Sequence, residues 1–287
     1  MRAWRSVTAV AGAMTLAASA YAAVPATAAT TVPTIHPGVQ TMTNGAQCTA
    51  NFVYTDGSTT YLGQAAHCSG TGGNTATDGC TSGSLPLGTK VDVLADDGTT
   101  VTGTMVYNSW LAMQKVGAND ANDANACAYN DLALIAIPSA DAAKVSPTVP
   151  FFGGPTGLAT TGTQQGDMVY SYGNSELRLG LTQLSPKEGI SLGDSAGGWT
   201  HQVYTMTPGI PGDSGSGFLT ADGKALGVLS TVEVAPVPGS NNVGDLSHEL
   251  TWLNGHLGQL QGSNGSPVHL VTSSTPFTPG ILGVGGL

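Results

Sequence analysis

The sequence predicts an all-β protein, and three observations carry that expectation. It holds 41 glycines and 16 prolines, which break the chain into short segments. The dipeptides Asp56-Gly57, Asp97-Gly98 and Asp222-Gly223 each lie between two alternating runs, the pattern of an antiparallel hairpin. A single stretch shows helical spacing of its apolar residues.

Taken in order, the chain opens with Arg2 and Arg5, an apolar run of small residues, and Ala20-Tyr21-Ala22 as a small-x-small cleavage site, with Ala26-Thr27-Ala28 as a second. This is the make-up of a secretory signal peptide over about 1–28, cleaved between about 22 and 29. A secreted, extracellular chain with no membrane contact after cleavage is expected, because no other run approaches the roughly 20 apolar residues of a spanning helix. The remainder suits one large all-β domain or two small barrels sharing a core.

"CTANFVYTDGSTTYLGQAAHC" (48–68), "VDVLADDGTTVTGTMVY" (91–107) and "GFLTADGKALGVLSTV" (217–232) read as hairpins. "DLALIAI" (131–137) is a nearly continuous apolar run, as in a strand covered on both faces. The Pro- and Gly-rich 138–157 reads as a linker between halves. In "GDLSHELTWLNGHL" (244–257) Asp245 can cap a helix whose Leu246, Leu250, Leu253 and Leu257 share a face. Residues 263–287 are rich in Ser, Thr, Pro and Gly and read as a flexible C-terminal tail.

The formal charge is −10, and losing Arg2 and Arg5 with the leader takes it to −12. Such acidity argues for solubility and against nucleic acid as a partner. Cys48, Cys68, Cys80 and Cys127 suit two disulfides in a secreted chain, although arithmetic leaves three pairings open. Each bridge would contribute roughly 3 kcal/mol.

Two strings place a serine among glycines: "GDSAGG" at 193–198 and "GDSGSG" at 212–217. An acyl-transfer nucleophile needs a tight turn, free backbone N–H groups and a following strand that fixes the turn to a core. Ser214 has all three, since Phe218-Leu219 open a hairpin. Ser195 is followed by "WTHQVYTM" (199–206), a strand leading into the Ser214 turn, so the first string reads as a loop. A hydroxyl also needs a base and the base an orienter. His67 follows an apolar strand and precedes Cys68, and Asp131 stands at the mouth of the most buried strand, where a carboxylate needs a partner.

"AAHC", "NDLALI" and "GDSGSG", in that chain order, resemble the signatures of secreted bacterial chymotrypsin-like (trypsin-fold) serine proteases. The family supplies the worked template for the roles that follow. The resemblance covers about 35–260 and implies two six-stranded antiparallel Greek-key barrels packed around a central cleft, with a C-terminal helix. The barrels would span about 35–140 and 155–260 within a protease domain at 29–262. It implies Ser214 as nucleophile, His67 as base, Asp131 as orienter, and the N–H groups of Gly212 and Ser214 as oxyanion hole. It also implies Cys48–Cys68 and, with it, Cys80–Cys127.

The substrate-binding positions would be Pro208, Gly209, Ile210 and Ser230, with Ser230 also lending its hydroxyl to Asp131. No acidic floor is present, so cleavage after Arg or Lys is not expected, and Leu229 stands where glutamate-reading relatives carry a His. An apolar pocket for apolar or small residues remains. Asp213 needs a cation: Ile35 could supply a new N-terminus, yet no basic residue precedes it, whereas Arg178 is the one arginine left after the leader. "GANDANDANAC" (117–127) lacks the ligand set of a calcium loop and reads as solvated. The expected protein is a monomeric serine endopeptidase acting on polypeptides, with no metal and no cofactor. A non-catalytic protein of the same fold, or an esterase using the same triad, is the alternative.

Overall fold

The computed structural model describes residues 32–73, 77–116, 123–232 and 238–280, so the expected leader lies outside the described residues. The Asp-Gly turns act as expected, and the aspartates do the work. Asp56 Oδ1 accepts from the Ser58 and Thr59 amides at 2.9 and 2.8 Å, and Asp97 Oδ1 from the Thr99 amide at 2.9 Å. Each turn joins an antiparallel pair: β3 (Val53–Thr55) with β4 (Thr60–Ala65), and β5 (Lys90–Leu94) with β6 (Thr100–Asn108).

With β1 (Gln40–Thr43), β2 (Ala46–Thr49), β7 (Leu132–Ala136) and β14 (His269–Leu270) these strands form one sheet in the order β14-β3-β4-β7-β6-β5-β1-β2. β7 runs between β4 and β6, and its run is apolar throughout because both faces are covered, Leu132 and Leu134 in one cluster and Ala133 and Ile135 in another. The sheet has eight strands where six were expected, for two reasons. The tail adds β14, and β2 and β3 are consecutive stretches of one segment broken at 50–52. That short break carries the chain from one end of the sheet to the other, so the sheet must curl. Leu62, Val91, Val93, Met105, Ala133 and Ile135 fill its interior.

The second half is a closed barrel of six strands in the order β10-β13-β12-β11-β8-β9. These are β8 (Met168–Tyr172), β9 (Pro186–Ser195), β10 (Thr200–Thr205), β11 (Gly217–Thr220), β12 (Ala225–Val232) and β13 (Asn241–Asp245). Val169, Val203, Phe218, Leu226, Leu229 and Val243 make its core. The predicted helix is present. Asp245 Oδ1 accepts from the His248 amide at 2.8 Å and caps the helix Leu246–Gly255, which buries Leu246, Leu250 and Leu253.

Two short helices were not expected: α1 (Ser109–Val116), which buries Trp110 and Met113, and α2 (Ala124–Tyr129). The capped helix is therefore α3. Asp123 caps α2 through the Asn125 amide and accepts from Trp199 Nε1 at 3.0 Å, so the end of the segment read as a solvated loop is instead a capped helix. The rest of that segment, 117–122, lies outside the described residues.

The flexible tail is a further correction. Over its described part, 263–280, it is docked along both halves. Val268 exchanges hydrogen bonds with Asn254 on α3, and β14 pairs with β3. The Ser273 amide donates to Pro155 O and the Thr278 amide to Phe152 O, and Phe277 packs on Tyr170 at 5.3 Å. Its polar composition concealed that one aromatic side chain and a few main-chain bonds suffice to anchor it.

Inside the second barrel, fully buried His201 bridges two carboxylates, Asp194 at 2.6 Å and Asp245 at 2.9 Å. Asp245 also holds His248 Nδ1 at 2.7 Å. Burial works against the charged His201 ring, but the hydrogen bonds and charges of both carboxylates outweigh it and raise its pKa above the ordinary value. A raised folded pKa makes this stabilisation complete below the unfolded value and lost as pH rises through the folded one. His201→Ala should therefore lower unfolding free energy by about 3–5 kcal/mol near pH 6, the cost of leaving buried charges without their partner. The deficit should narrow at pH 9, and urea titrations at both pH values check it: an equal deficit at both contradicts a charged His201.

Candidate functional site

The antiparallel register of β4 and β7 sets Ala65 opposite Leu132, so the residues just after β4 and just before β7 leave the sheet at the same edge. His67 lies in a 3-10 turn over Ala66–Ser69, and the Cys48–Cys68 disulfide anchors that turn. Asp131 grips His67 twice: Oδ1 accepts from its amide at 2.9 Å and Oδ2 pairs with ring Nδ1 at 2.7 Å. Ser230 Oγ donates to the same Oδ2 at 2.6 Å. Burial disfavours the charged His67 ring, yet the charge and hydrogen bond of Asp131 prevail and raise its pKa. The other disulfide is Cys80–Cys127, so both bridges pair as expected.

Ser214 sits on the loop between β10 and β11. The Gly215 amide donates to Leu229 O at 2.8 Å and the Leu229 amide to Ser216 O at 2.9 Å, which places the loop beside Ser230. The Thr49 amide donates to Ser214 O at 2.8 Å. Gly215, at φ +86°, could not be another residue, since a Cβ there would lie 2.7 Å from Thr49 O and 2.8 Å from the Ala65 amide nitrogen. Ser214 therefore lies against the strand end that carries His67. His67, Asp131 and Ser230 are joined directly, whereas Ser214 Oγ makes no hydrogen bond to the His67 ring among the described residues. Gly193, Asp194 and Ser195, expected in a loop, instead form the last residues of β9 and pair with β10, with Ser195 exposed at its end.

Beneath this loop Asp213 is fully buried. Its Oδ2 meets Arg178 at 2.5 Å, Lys187 Nζ at 2.9 Å and the Ile210 amide at 3.1 Å, while Oδ1 accepts from the Ser175 amide at 3.1 Å. Arg178 is thus one of two cations at Asp213, with Lys187 as the other. Ile35 is buried elsewhere, its amide donating to Lys144 O. Burial pulls the Lys187 pKa down and Arg178 adds to this, against the attraction of Asp213. Lys187 Nζ also reaches Thr207 O at 3.1 Å and Pro208 O at 3.3 Å. Pro208, Gly209 and Ile210 run past this cluster, and the Gly209 amide is held by Asn241 Oδ1 at 2.9 Å, beside Leu229. The acidic side chain among these contacts is Asp213, whose Oδ2 accepts from the Ile210 amide and is already paired with Arg178 and Lys187.

Sequence reasoning missed Lys187 and Glu249. A lone lysine carries no sign that it will be buried. Glu249 did carry one, because it falls three residues after Leu246 and four before Leu253, within the apolar stripe of α3. Its carboxyl is fully buried, Oε1 accepts from the Asp131 amide at 2.8 Å, and Oε2 has no partner among the described residues. Burial pushes its pKa far above the ordinary range, and the charges of Asp131 and Asp245 add to this, so it sits as a neutral acid.

No protein-family model matches the chain, and no curated protein does. Solved structures do match. Protease A of Thermobifida fusca aligns over 83% of this chain and 99% of its own, at 18% identity and a TM-score of 0.51. A chymotrypsin of Cellulomonas bogoriensis gives 83%, 99%, 14% and 0.48, and a Nocardiopsis protease 82%, 98%, 16% and 0.47. At such identity the likeness, carried by the first of these, is one of fold: the chain has the two-barrel architecture of chymotrypsin-like serine proteases.

The neutral Glu249 has a consequence for stability. A carboxyl whose folded pKa is raised contributes fully below its unfolded pKa of about 4.3, and loses that contribution as pH climbs toward the folded value. Glu249→Gln keeps the acceptor for the Asp131 amide and cannot ionise. It should match the parent near pH 4 and exceed it in urea midpoint at pH 8, and a difference that does not vary with pH would count against a neutral Glu249.

Proposed function

We propose that this protein is a serine endopeptidase that cleaves polypeptides through an acyl-enzyme. Ser214 Oγ attacks the scissile carbonyl carbon while His67 Nε2 takes the hydroxyl proton. The tetrahedral oxyanion is held by the amides of Gly212 and Ser214. Collapse expels the amine, which receives the proton from His67, and water then cleaves the ester by the same steps. Asp131 keeps Nδ1 protonated, leaving Nε2 free to act as base.

The observation that carries this reading is the double grip of Asp131 on His67, both main chain and ring, with Ser230 as a further donor. Asp245 holds the amide and ring of His248 in a like way to cap α3, so what favours a reactive His67 is that its grip is joined by Ser230 and lies beside the Ser214 loop. The Gly212 and Ser214 amides, moreover, have no acceptor among the described residues and are free for an oxyanion. Two cations behind Pro208 O make the floor hostile to a Lys or Arg side chain, which supports apolar or small residues before the cut. The two disulfides suit export to an oxidising compartment, as does the leader read from residues 1–28.

A fluorophosphonate probe tests the proposal. The parent should be labelled at Ser214, and Ser214→Ala should take no label and lose about 10⁴- to 10⁶-fold in peptide turnover. Since His67 must be neutral to act, kcat/KM should rise with pH through a midpoint above the ordinary imidazole value of about 6.5. A parent chain that takes no label is an inert scaffold, and one that cleaves esters but no peptide is an esterase; either result refutes the proposal.

A further inference from the structure

The peptide plane joining Pro211 to Gly212 decides what the Gly212 N–H can reach. In a trans peptide the N–H points opposite to the C=O, so whatever holds the carbonyl of Pro211 also aims the amide of Gly212. That carbonyl accepts from Ser175 Oγ at 2.6 Å. Ser175 is itself buried, and its own amide donates to Asp213 Oδ1. The next carbonyl, that of Gly212, accepts from Thr49 Oγ1 at 2.8 Å and Gln47 Nε2 at 3.0 Å. Gln47 in turn accepts from the Glu176 amide at 3.1 Å, one residue beyond Ser175. Both carbonyls flanking Gly212 are therefore tied, one from the second half of the chain and one from β2 of the first.

The restraint matters because Gly212 sits at φ +95° with no side chain to limit rotation. A Cβ at this position would run into Gln47 Oε1 and lie 2.8 Å from Ser175 Oγ. Glycine is thus required for these two side chains to approach, and once they do, they supply the restraint that glycine lacks. If the Pro211–Gly212 plane turned over, a carbonyl oxygen would replace the N–H, and a developing negative charge would meet a partial negative charge.

We propose that Ser175 is a positioning residue for the oxyanion hole, fixing the Gly212 amide through the Pro211 carbonyl, with Thr49 and Gln47 doing the same from the Gly212 carbonyl. The inference rests on the reading of Ser214 as nucleophile. Its effect falls on the transition state, because a ground-state carbonyl makes weaker use of the amide than an oxyanion does.

Ser175→Val and Ser175→Thr share a shape and differ in the hydroxyl, so any loss of folding is common to both. The Val variant should fall about 10- to 100-fold below the Thr variant in kcat, less than the loss of an oxyanion donor itself. KM should be unchanged, the acid limb set by His67 unmoved, and affinity for a peptide aldehyde, whose hemiacetal oxygen enters the same hole, reduced by the same factor. Thr49→Val should give the same signature from the first half of the chain. Equal kcat for Val and Thr, or a fall in kcat without loss of aldehyde affinity, overturns the inference. A parent that takes no fluorophosphonate label overturns the catalytic reading and this inference with it. A labelled parent whose two Ser175 variants behave alike overturns the inference alone.

Discussion

Asp213 gathers four donors on two oxygens with no access to water, and the geometry above it depends on that arrangement. A buried carboxylate is tolerated only when its charge and lone pairs are met, so the chain must bring partners to it. They come from three places: the segment after β8 with Ser175 and Arg178, Lys187 on β9, and the loop at Ile210. Two cations on one carboxylate would leave a charge in excess, and Lys187 spreads its remaining donors over the carbonyls of Thr207 and Pro208. Those carbonyls belong to the segment leading into the Ser214 turn. Charge neutralisation and loop placement are thus the same set of bonds.

The two halves of the chain meet with similar economy. Antiparallel register alone delivers His67 and Asp131 to one edge of the first sheet, and the β11–β12 hairpin delivers Ser214 and Ser230 to one edge of the second barrel. Ser230 then reaches across to Asp131, and Thr49 to the Ser214 loop. The docked tail spans the same junction at a distance from these residues, pairing with β3 before passing Pro155 and Phe152.

Much of this was legible in the sequence wherever the cause is local. Asp-Gly turns announce hairpins because the aspartate side chain closes the turn on its own neighbours, and Asp245 announces α3 for the same reason. The three motifs were legible because each is a run of consecutive residues, and the fold brings His67, Asp131 and the Ser214 loop to one place. What escaped notice depends on distant partners. Lys187 looks like any surface lysine until β9 closes the barrel over Asp213, and Ser175 looks like a loop serine until Pro211 arrives beside it. α1 escaped because Trp110 and Met113 are too few to set a period. Glu249 is the intermediate case, visible as a flaw in an apolar stripe but with no hint of what it would meet.

That flaw bears on how two neighbouring carboxyls divide their roles. Asp131 meets three partners, the His67 amide, the His67 ring and the Ser230 hydroxyl. Glu249 accepts one hydrogen bond, from the Asp131 amide, and its other oxygen has no partner among the described residues. The donors lie on the Asp131 side of the pair and the apolar face of α3 on the Glu249 side. Were Glu249 also ionised, a second negative charge behind Asp131 would hold a proton on His67 more tightly. A neutral acid at 249 supplies the acceptor that the Asp131 amide needs without adding that charge. Helix α3 thereby sets part of the electrostatic background of a histidine on the opposite half of the fold.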